Sequence, residues 1–183
     1  MKNKTALITG ASTGIGKELA IIHASKSGNL VIIARNESKL NKLKQELEKK
    51  YKVKVVVIAK DLSNLNAAKE IYDEVKKQGI EIDYLINNAG FGALGKFHEL
   101  DLARQISMIN LNITALTTLT HLFLPEFVQR NSGKIMNTSS TASFMPGPLQ
   151  AVYFATKAYV TFFSNALSEE LHDTIITVTN LMP

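Results

Sequence analysis

Tyr153 and Lys157 stand four residues apart in a stretch, Gln150 to His172, whose apolar spacing predicts a helix. At that spacing two side chains share one helix face across a single turn. The chemistry open to such a pair is proton transfer to or from an oxygen. A free phenol, with a pKa of about 10, is a poor base at neutral pH. Lowering a phenol's pKa by about 3 units takes roughly 4 kcal/mol of differential stabilisation, and an ammonium beside it in a partly desolvated cleft is a suitable source. The same spacing occurs on ordinary surface helices, so the pair acquires its meaning from its company. Thirteen residues before Tyr153 stands the hydroxyl of Ser140, at the end of the apolar run 134–139, with Ser139 as its neighbour. Asn110 and Asn112 lie inside another helical stretch, where asparagine is mildly unfavourable.

A second group of residues has the character of a phosphate cradle. Thr9-Gly10-Ala11-Ser12-Thr13-Gly14-Ile15-Gly16 separates an apolar run from a helical pattern. Backbone N–H groups at a helix N-terminus attract phosphate, and close approach requires that β-carbons stay out of the way. Gly10 suits the tight turn, Gly14 the approach of a pyrophosphate, and Gly16 the packing of helix on strand. Placed after the first strand of a parallel α/β sheet, such a loop points to a dinucleotide.

The elements that must position these groups alternate. Apolar runs at Thr5–Thr9, Asn29–Ala34, Val53–Ala59, Ile82–Ile86, Lys134–Ser139 and Thr174–Leu181 predict strands. Between them lie helical patterns at Ile15–Ser27, with Ile15, Leu19 and Ile22 on one side, and at Ser38–Lys50, with Leu40, Leu43 and Leu47. A further helix is capped by Ser63 or Asn64 and runs to about Gln78, and long helices follow at Leu102–Gln129 and Gln150–His172. Strands without polar alternation, each followed by a helix, indicate parallel strands buried on both faces. The right-handed crossover rule then predicts a doubly wound parallel sheet of Rossmann type, strand order 3-2-1-4-5-6, in one domain over 1–183.

The glycine spacing T-G-x-x-x-G-x-G, together with Asn87-Asn88-Ala89-Gly90, Ser140, Tyr153 and Lys157 in that order, resembles the short-chain dehydrogenase/reductase family along essentially the whole chain. The resemblance implies a nicotinamide-dependent oxidoreductase acting on a carbonyl or secondary alcohol. Tyr153 would be the general acid/base, Lys157 its charge partner and a clamp on the nicotinamide ribose, and Ser140, selected over Ser139 by the family spacing, the residue that orients substrate. Asn112, selected over Asn110 by its distance to Pro125, would open its helix locally and hold a proton-relay water on its carbonyl. The cofactor-binding set would be Gly10, Ser12, Thr13, Gly14, Ile15 and Gly16, with Arg35, Asp61, Leu62, Asn88, Ala89 and Gly90, joined by Tyr153 and Lys157. In the family an acidic residue selecting NAD(H) falls where Ala34 stands, and a basic one selecting NADP(H) where Arg35 stands. The guanidinium is a planar donor fork suited to a 2′-phosphate. NADP(H) is therefore expected over NAD(H), with Ser12 and Lys39 as further contacts.

Family members usually continue beyond the position of Pro183 with a substrate-closing loop and a seventh strand. The resemblance thus implies either a chain truncated relative to the family, with an unprotected sixth strand and low activity, or a sequence that lacks a further tail. A homodimer through the helices 102–129 and 150–172 is expected. The contrasting expectation, from another class, is a dinucleotide-binding protein with weak or no catalysis that serves as a sensor or binds a partner.

Composition excludes several other classes. There is no cysteine, which removes disulfides and thiolate metal sites and fits a cytoplasmic protein. The four histidines, His23, His98, His121 and His172, have no metal-ligand spacing and are read as structural or surface residues. No apolar run approaches the roughly 20 residues that span a bilayer. The net charge of +5 comes largely from Lys39 to Lys54, interleaved with Glu46 and Glu48 as on a solvated helix face. Few aromatics accompany these lysines, so no nucleic-acid platform is expected.

Overall fold

The computed structural model describes residues 2–183. Six parallel strands, β1 (Thr5–Thr9), β2 (Asn29–Ala34), β3 (Val55–Ala59), β4 (Tyr84–Asn87), β5 (Lys134–Thr138) and β6 (Thr177–Leu181), form one sheet in the order β3-β2-β1-β4-β5-β6. This is the doubly wound order expected from the alternation of runs. The reversal between β1 and β4 leaves a crevice at the strands' carboxyl ends, where open α/β sheets take their ligands.

Helices cover both faces. On one side, Leu40, Leu43 and Leu47 of α2 (Glu37–Tyr51) pack with Ala6, Ile8, Leu30 and Ile32. On the other, α3 (Ala67–Lys77) and α5 (Leu116–Gln129) bury Ile71, Val75, Phe123 and Phe127 against Leu7, Val31 and Leu85. Completely buried aliphatic and aromatic side chains each contribute about 1.5–3 kcal/mol, so these two layers carry the fold.

Several boundaries and faces differ from the sequence reading. Helix α1 (Gly14–Ser25) buries Gly16, Ala20, His23 and Ala24, whereas Ile15 and Ile22 are exposed. Small residues let the helix approach the sheet closely, and that close approach outweighs the hydrophobicity of the wider aliphatic side chains. Helix α3 starts at Ala67 with Asn66 as N-cap, after the expected Ser63 or Asn64. Asp61 Oδ1 accepts from Ser63 N and Oγ at 3.0 and 2.8 Å, and the Asp61 carbonyl accepts from Asn64 N, so 61–64 is a turn. Strand β6 begins at Thr177, later than expected, because Thr174 N and Oγ1 both donate to Leu171 O.

The stretch Leu102–Gln129 is three segments. Helix α4 (Leu102–Ile109) leads into a π-helical segment at Asn110–Ala115, and α5 continues from it. Helix α6 (Ala151–Glu170) lies next to this stretch and packs on β5 and β6.

Candidate functional site

The loop after β1 has the backbone that its glycines were expected to supply. Gly10 (φ +68°) and Gly14 (φ +55°) adopt left-handed conformations. A β-carbon on Gly10 would come within 2.9 Å of Asn88 Nδ2, and one on Gly16 would overlap the Gly10 carbonyl. Thr13 is the N-cap of α1 but its side chain makes no capping bond, so the first amides of the helix face the crevice unpaired by it. A β-carbon at Gly14 would meet only open space, so φ alone demands glycine there.

The segment after β4 is tied to this loop. Thr9 Oγ1 accepts from Asn88 N and Ala89 N at 2.9 and 3.0 Å. Asn88 Nδ2 donates to Thr9 O, and Asn88 Oδ1 accepts from Thr138 Oγ1, so one side chain joins the ends of β1, β4 and β5. Below it, buried Asn87 donates to Thr120 Oγ1 and Asn137 Oδ1, and Asn137 donates to Ser164 Oγ. Thr9 and Asn87 stand inside the motifs read from sequence but were given no role there, and Asn137 and Ser164 carried no sequence signal. Tertiary structure alone shows their partners, and it leaves Asn87 Oδ1 buried without one.

Tyr153 and Lys157 meet on α6 beside this segment. Lys157 Nζ donates to Thr138 O at 2.8 Å and lies 5.7 Å from the centroid of the Tyr153 ring. Burial pushes its ammonium down to about pKa 8. At Gly90 a β-carbon would crowd Asn112 Oδ1 at 3.1 Å and come within contact of Lys157 Nζ at 3.5 Å. A β-carbon on Gly92 would press the Tyr153 ring at 3.2 Å.

Asn112 sits within the π-helical segment, and its side chain explains why the helix opens there. Its Oδ1 accepts from Phe91 N at 3.1 Å, and its Nδ2 donates to Phe91 O and Thr156 Oγ1, both at 3.0 Å. The amide thereby anchors the post-β4 loop to α6. Ser139 and Ser140 are separated by their partners. Ser139 Oγ is buried and donates to Lys157 O, beside Thr161 Oγ1. Ser140 Oγ accepts from Ala142 N at 3.2 Å, which turns its own O–H away and leaves it free to donate.

A cleft of about 900 Å³ runs along this edge. Gly10, Ser12, Thr13 and Ile15 line it from the first loop, and Asn88, Ala89 and Gly90 from the fourth. At one end stand Arg35, Asn36, Lys39, Lys60, Asp61 and Leu62, and Tyr153 and Lys157 stand towards the other. Gly14, Gly16, Asn112 and Ser140 lie outside the lining, the first three supporting its walls. Lys60 is paired with Glu70 at 2.6 Å, so Arg35 and Lys39 are the cations at that end without a salt-bridge partner among the described residues. The histidines His98, His121 and His172 are exposed, and His23 is buried in the core. Among the described residues no group of His, Asp and Glu could hold a metal ion. No helix there is long and apolar enough to cross a membrane.

A doubly wound parallel sheet with a glycine-floored crevice at its switch point defines a Rossmann-type α/β protein. The particular grouping follows from comparison. The short chain dehydrogenase family model matches residues 4–183, and the chain belongs to that family. It is 36% identical over 184 residues to human very-long-chain 3-oxoacyl-CoA reductase, covering 97% of this chain and 58% of the relative. The chain therefore spans little more than half the length of that protein. It is also 36% identical to the NADP-dependent 3-hydroxy acid dehydrogenase of Schizosaccharomyces pombe, covering 100% of this chain and 71% of that one. Among solved structures, a short-chain dehydrogenase from Sphingobium yanoikuyae in complex with NADPH superposes with a TM-score of 0.93 at 36% identity, covering 98% of this chain and 70% of that one. The bulky-bulky ketone specific alcohol dehydrogenase of Comamonas testosteroni gives 0.94 at 36% identity, covering 100% and 73%.

Proposed function

We propose that the chain is an NADP(H)-dependent oxidoreductase that interconverts a ketone and a secondary alcohol, with Tyr153 as the general acid/base. The observation that carries this reading is the buried ammonium of Lys157, held on Thr138 O beside the Tyr153 ring at the wall of a glycine-floored cleft. The cleft fits a dinucleotide: Gly10 and Gly16 let the first loop close on Asn88 and on its own turn without β-carbons in the way, and the Thr13 side chain leaves the first amides of α1 uncapped for phosphate. When bound, the nicotinamide supplies or accepts the hydride. Tyr153 donates its phenolic proton to the carbonyl oxygen in reduction and recovers it in oxidation. Lys157 places a positive charge beside the Tyr153 ring and would hold a ribose hydroxyl of the bound cofactor. Ser140 offers its free O–H to the same substrate oxygen, and Asn112 keeps the loop and α6 in register.

The choice of NADP(H) rests on Arg35 and Lys39 at the adenosine end and on the NADPH and NADP named for two relatives. A second copy of the chain is the partner we assign to the helices 102–129 and 150–172. They expose Leu102, Ile106, Val128 and Phe162, apolar surface of the kind an isologous interface covers.

The test is Tyr153→Phe assayed for ketone-dependent NADPH oxidation, with NADPH fluorescence titrated in parallel. Turnover should fall by at least about 10³-fold, at the middle of the range for losing a general acid, while the affinity for NADPH stays within about twofold. Retention of activity within a few-fold would refute the role of Tyr153.

A further inference from the structure

Resting on that reading, we propose that Gln150 is a substrate-specificity residue, selecting uncharged ketones that carry a second hydrogen-bonding group beside the reacting carbonyl and a large apolar substituent. Gln150 is the N-cap of α6, one turn before Tyr153, and it lines the cleft. Its side-chain Oε1 lies 3.6 Å from where a Gly92 β-carbon would stand, and that position is itself against the Tyr153 ring. Among the described residues its amide has no side-chain hydrogen bond, so both its donor and its acceptor are available to a ligand that reaches Tyr153.

The backbone is strained to place it there. Leu149 has φ +67°, a left-handed conformation that a leucine adopts only at a cost. It is held by its carbonyl, which accepts from Gly95 N at 2.9 Å, and by the Gln150 N–H, which donates to Gly147 O at 3.0 Å. The loop after β4 and the loop before α6 are thereby clasped together, with Gln150 at the clasp. This expenditure of strain is unnecessary for a residue that only starts a helix.

The chemistry around Gln150 defines the substrate class. Four of the five charged residues lining the cleft, Arg35, Lys39, Lys60 and Asp61, follow β2 and β3, on the far side of β1 from Tyr153. The fifth is Lys157, already bound to Thr138 O. Beside Tyr153 the lining is Phe91, Gly92, Ala93, Leu94 and Gln150, and the one cation there, Lys157, is committed to Thr138 O and, in the proposed mechanism, to the phenol and the cofactor ribose. In the segment before α6, outside the lining, Phe144, Met145 and Leu149 are exposed apolar side chains. A neutral amide among apolar walls reads a neutral polar group. It discriminates against a free acid, whose desolvation no uncommitted cation at this end repays.

Three aryl ketones separate the requirements: ethyl benzoylacetate, its free acid benzoylacetate, and butyl phenyl ketone, which lacks the second carbonyl. We expect wild-type kcat/KM for the ester to exceed that for either other ketone by about tenfold, the value of one buried neutral hydrogen bond at the upper end of its range. Gln150→Leu should collapse the ester-to-butyl-ketone ratio by about tenfold, and a ratio is unaffected by any fraction of misfolded protein. An unchanged ratio, or a free acid used better than its ester, overturns the proposal. Calorimetric titration of ethyl benzoylacetate into the protein with NADP⁺, where no hydride is available, reads recognition without turnover. A tenfold weakening in Gln150→Leu there supports the proposal even if no ketone is reduced, an outcome that would sink the oxidoreductase reading alone. Equal affinities in that titration overturn the role of Gln150 whatever the turnover.

Discussion

Lys157 is 6% exposed, and burial alone brings its ammonium from 10.5 down to about pKa 8 in the cofactor-free protein. The folded chain therefore releases this proton at a lower pH than the unfolded chain. Between those two values the unfolded state holds more protons than the folded one, so stability rises with pH there. Each unit of pKa difference corresponds to about 1.4 kcal/mol. At pH 7 the lysine is charged in both states and the full burial cost is present. Linkage over the interval from about 8 to 10.5 then returns about 1 kcal/mol by pH 9 and about 2 to 3 kcal/mol by pH 10. Other lysines and tyrosines titrate in the same range, so the quantity to measure is a difference. Urea unfolding of wild type and Lys157→Met, without cofactor, should be compared at pH 7, 9 and 10 at constant ionic strength. The variant also loses the bond to Thr138 O, which shifts its curve by a constant and leaves the slope untouched. The wild type should gain on Lys157→Met by the amounts above as pH rises. Parallel curves would show that the ammonium is not desolvated as its position requires, and the charge assigned to the Tyr153 wall would lose its basis.

Arg35→Ala should weaken NADPH by about 10- to 100-fold, the range for one charge-assisted hydrogen bond, and leave NADH within about twofold. Fluorescence titration of both cofactors checks this, and equal losses would remove Arg35 as the 2′-phosphate contact. His23 donates from Nε2 to Lys4 O and packs edge-on to Tyr84 at 5.2 Å, and burial holds its pKa below the ordinary 6.5. The unfolded chain takes up this proton first on acidification. The His23 contribution is thus complete above pH 6.5 and is lost as pH falls towards the folded pKa, at no more than about 1.4 kcal/mol per pH unit. Thermal midpoints between about pH 7 and 5.5 should show a slope in the wild type that is absent in His23→Phe. An identical slope in both would place the titrating group elsewhere.

Much of the site was legible because its requirements are local. Gly10, Gly14 and Gly16 answer to dihedral angles and to space within one turn, and Tyr153 and Lys157 to one helical repeat. The β-strand order followed from uninterrupted apolar runs and the handedness of crossovers. The buried side of α1 was not legible. Periodicity marks the stripe of Ile15, Leu19 and Ile22, of which only Leu19 packs against the core, while the sheet buried the narrower Gly16, Ala20 and Ala24. The roles of Thr9 and Asn87 within their motifs were not legible for a related reason: their partners lie 77 to 80 and 33 to 50 residues away.

The sequence by itself determined which groups are present, the order in which they reach the carboxyl edge, and the single-turn geometries that depend on glycine or on i, i+4 spacing. Tertiary structure decided what each group is free to do. It gave Ser139 to Lys157 O and left the Ser140 proton unspent, and it turned the amide of Asn112 into a loop anchor inside a π-helical segment. By clasping Leu149 to Gly95, it also put Gln150 beside Tyr153. Hydrogen-bond capacity is finite, so a side chain's chemistry is whatever remains after distant partners have claimed their share, and those partners are known only once the chain has folded.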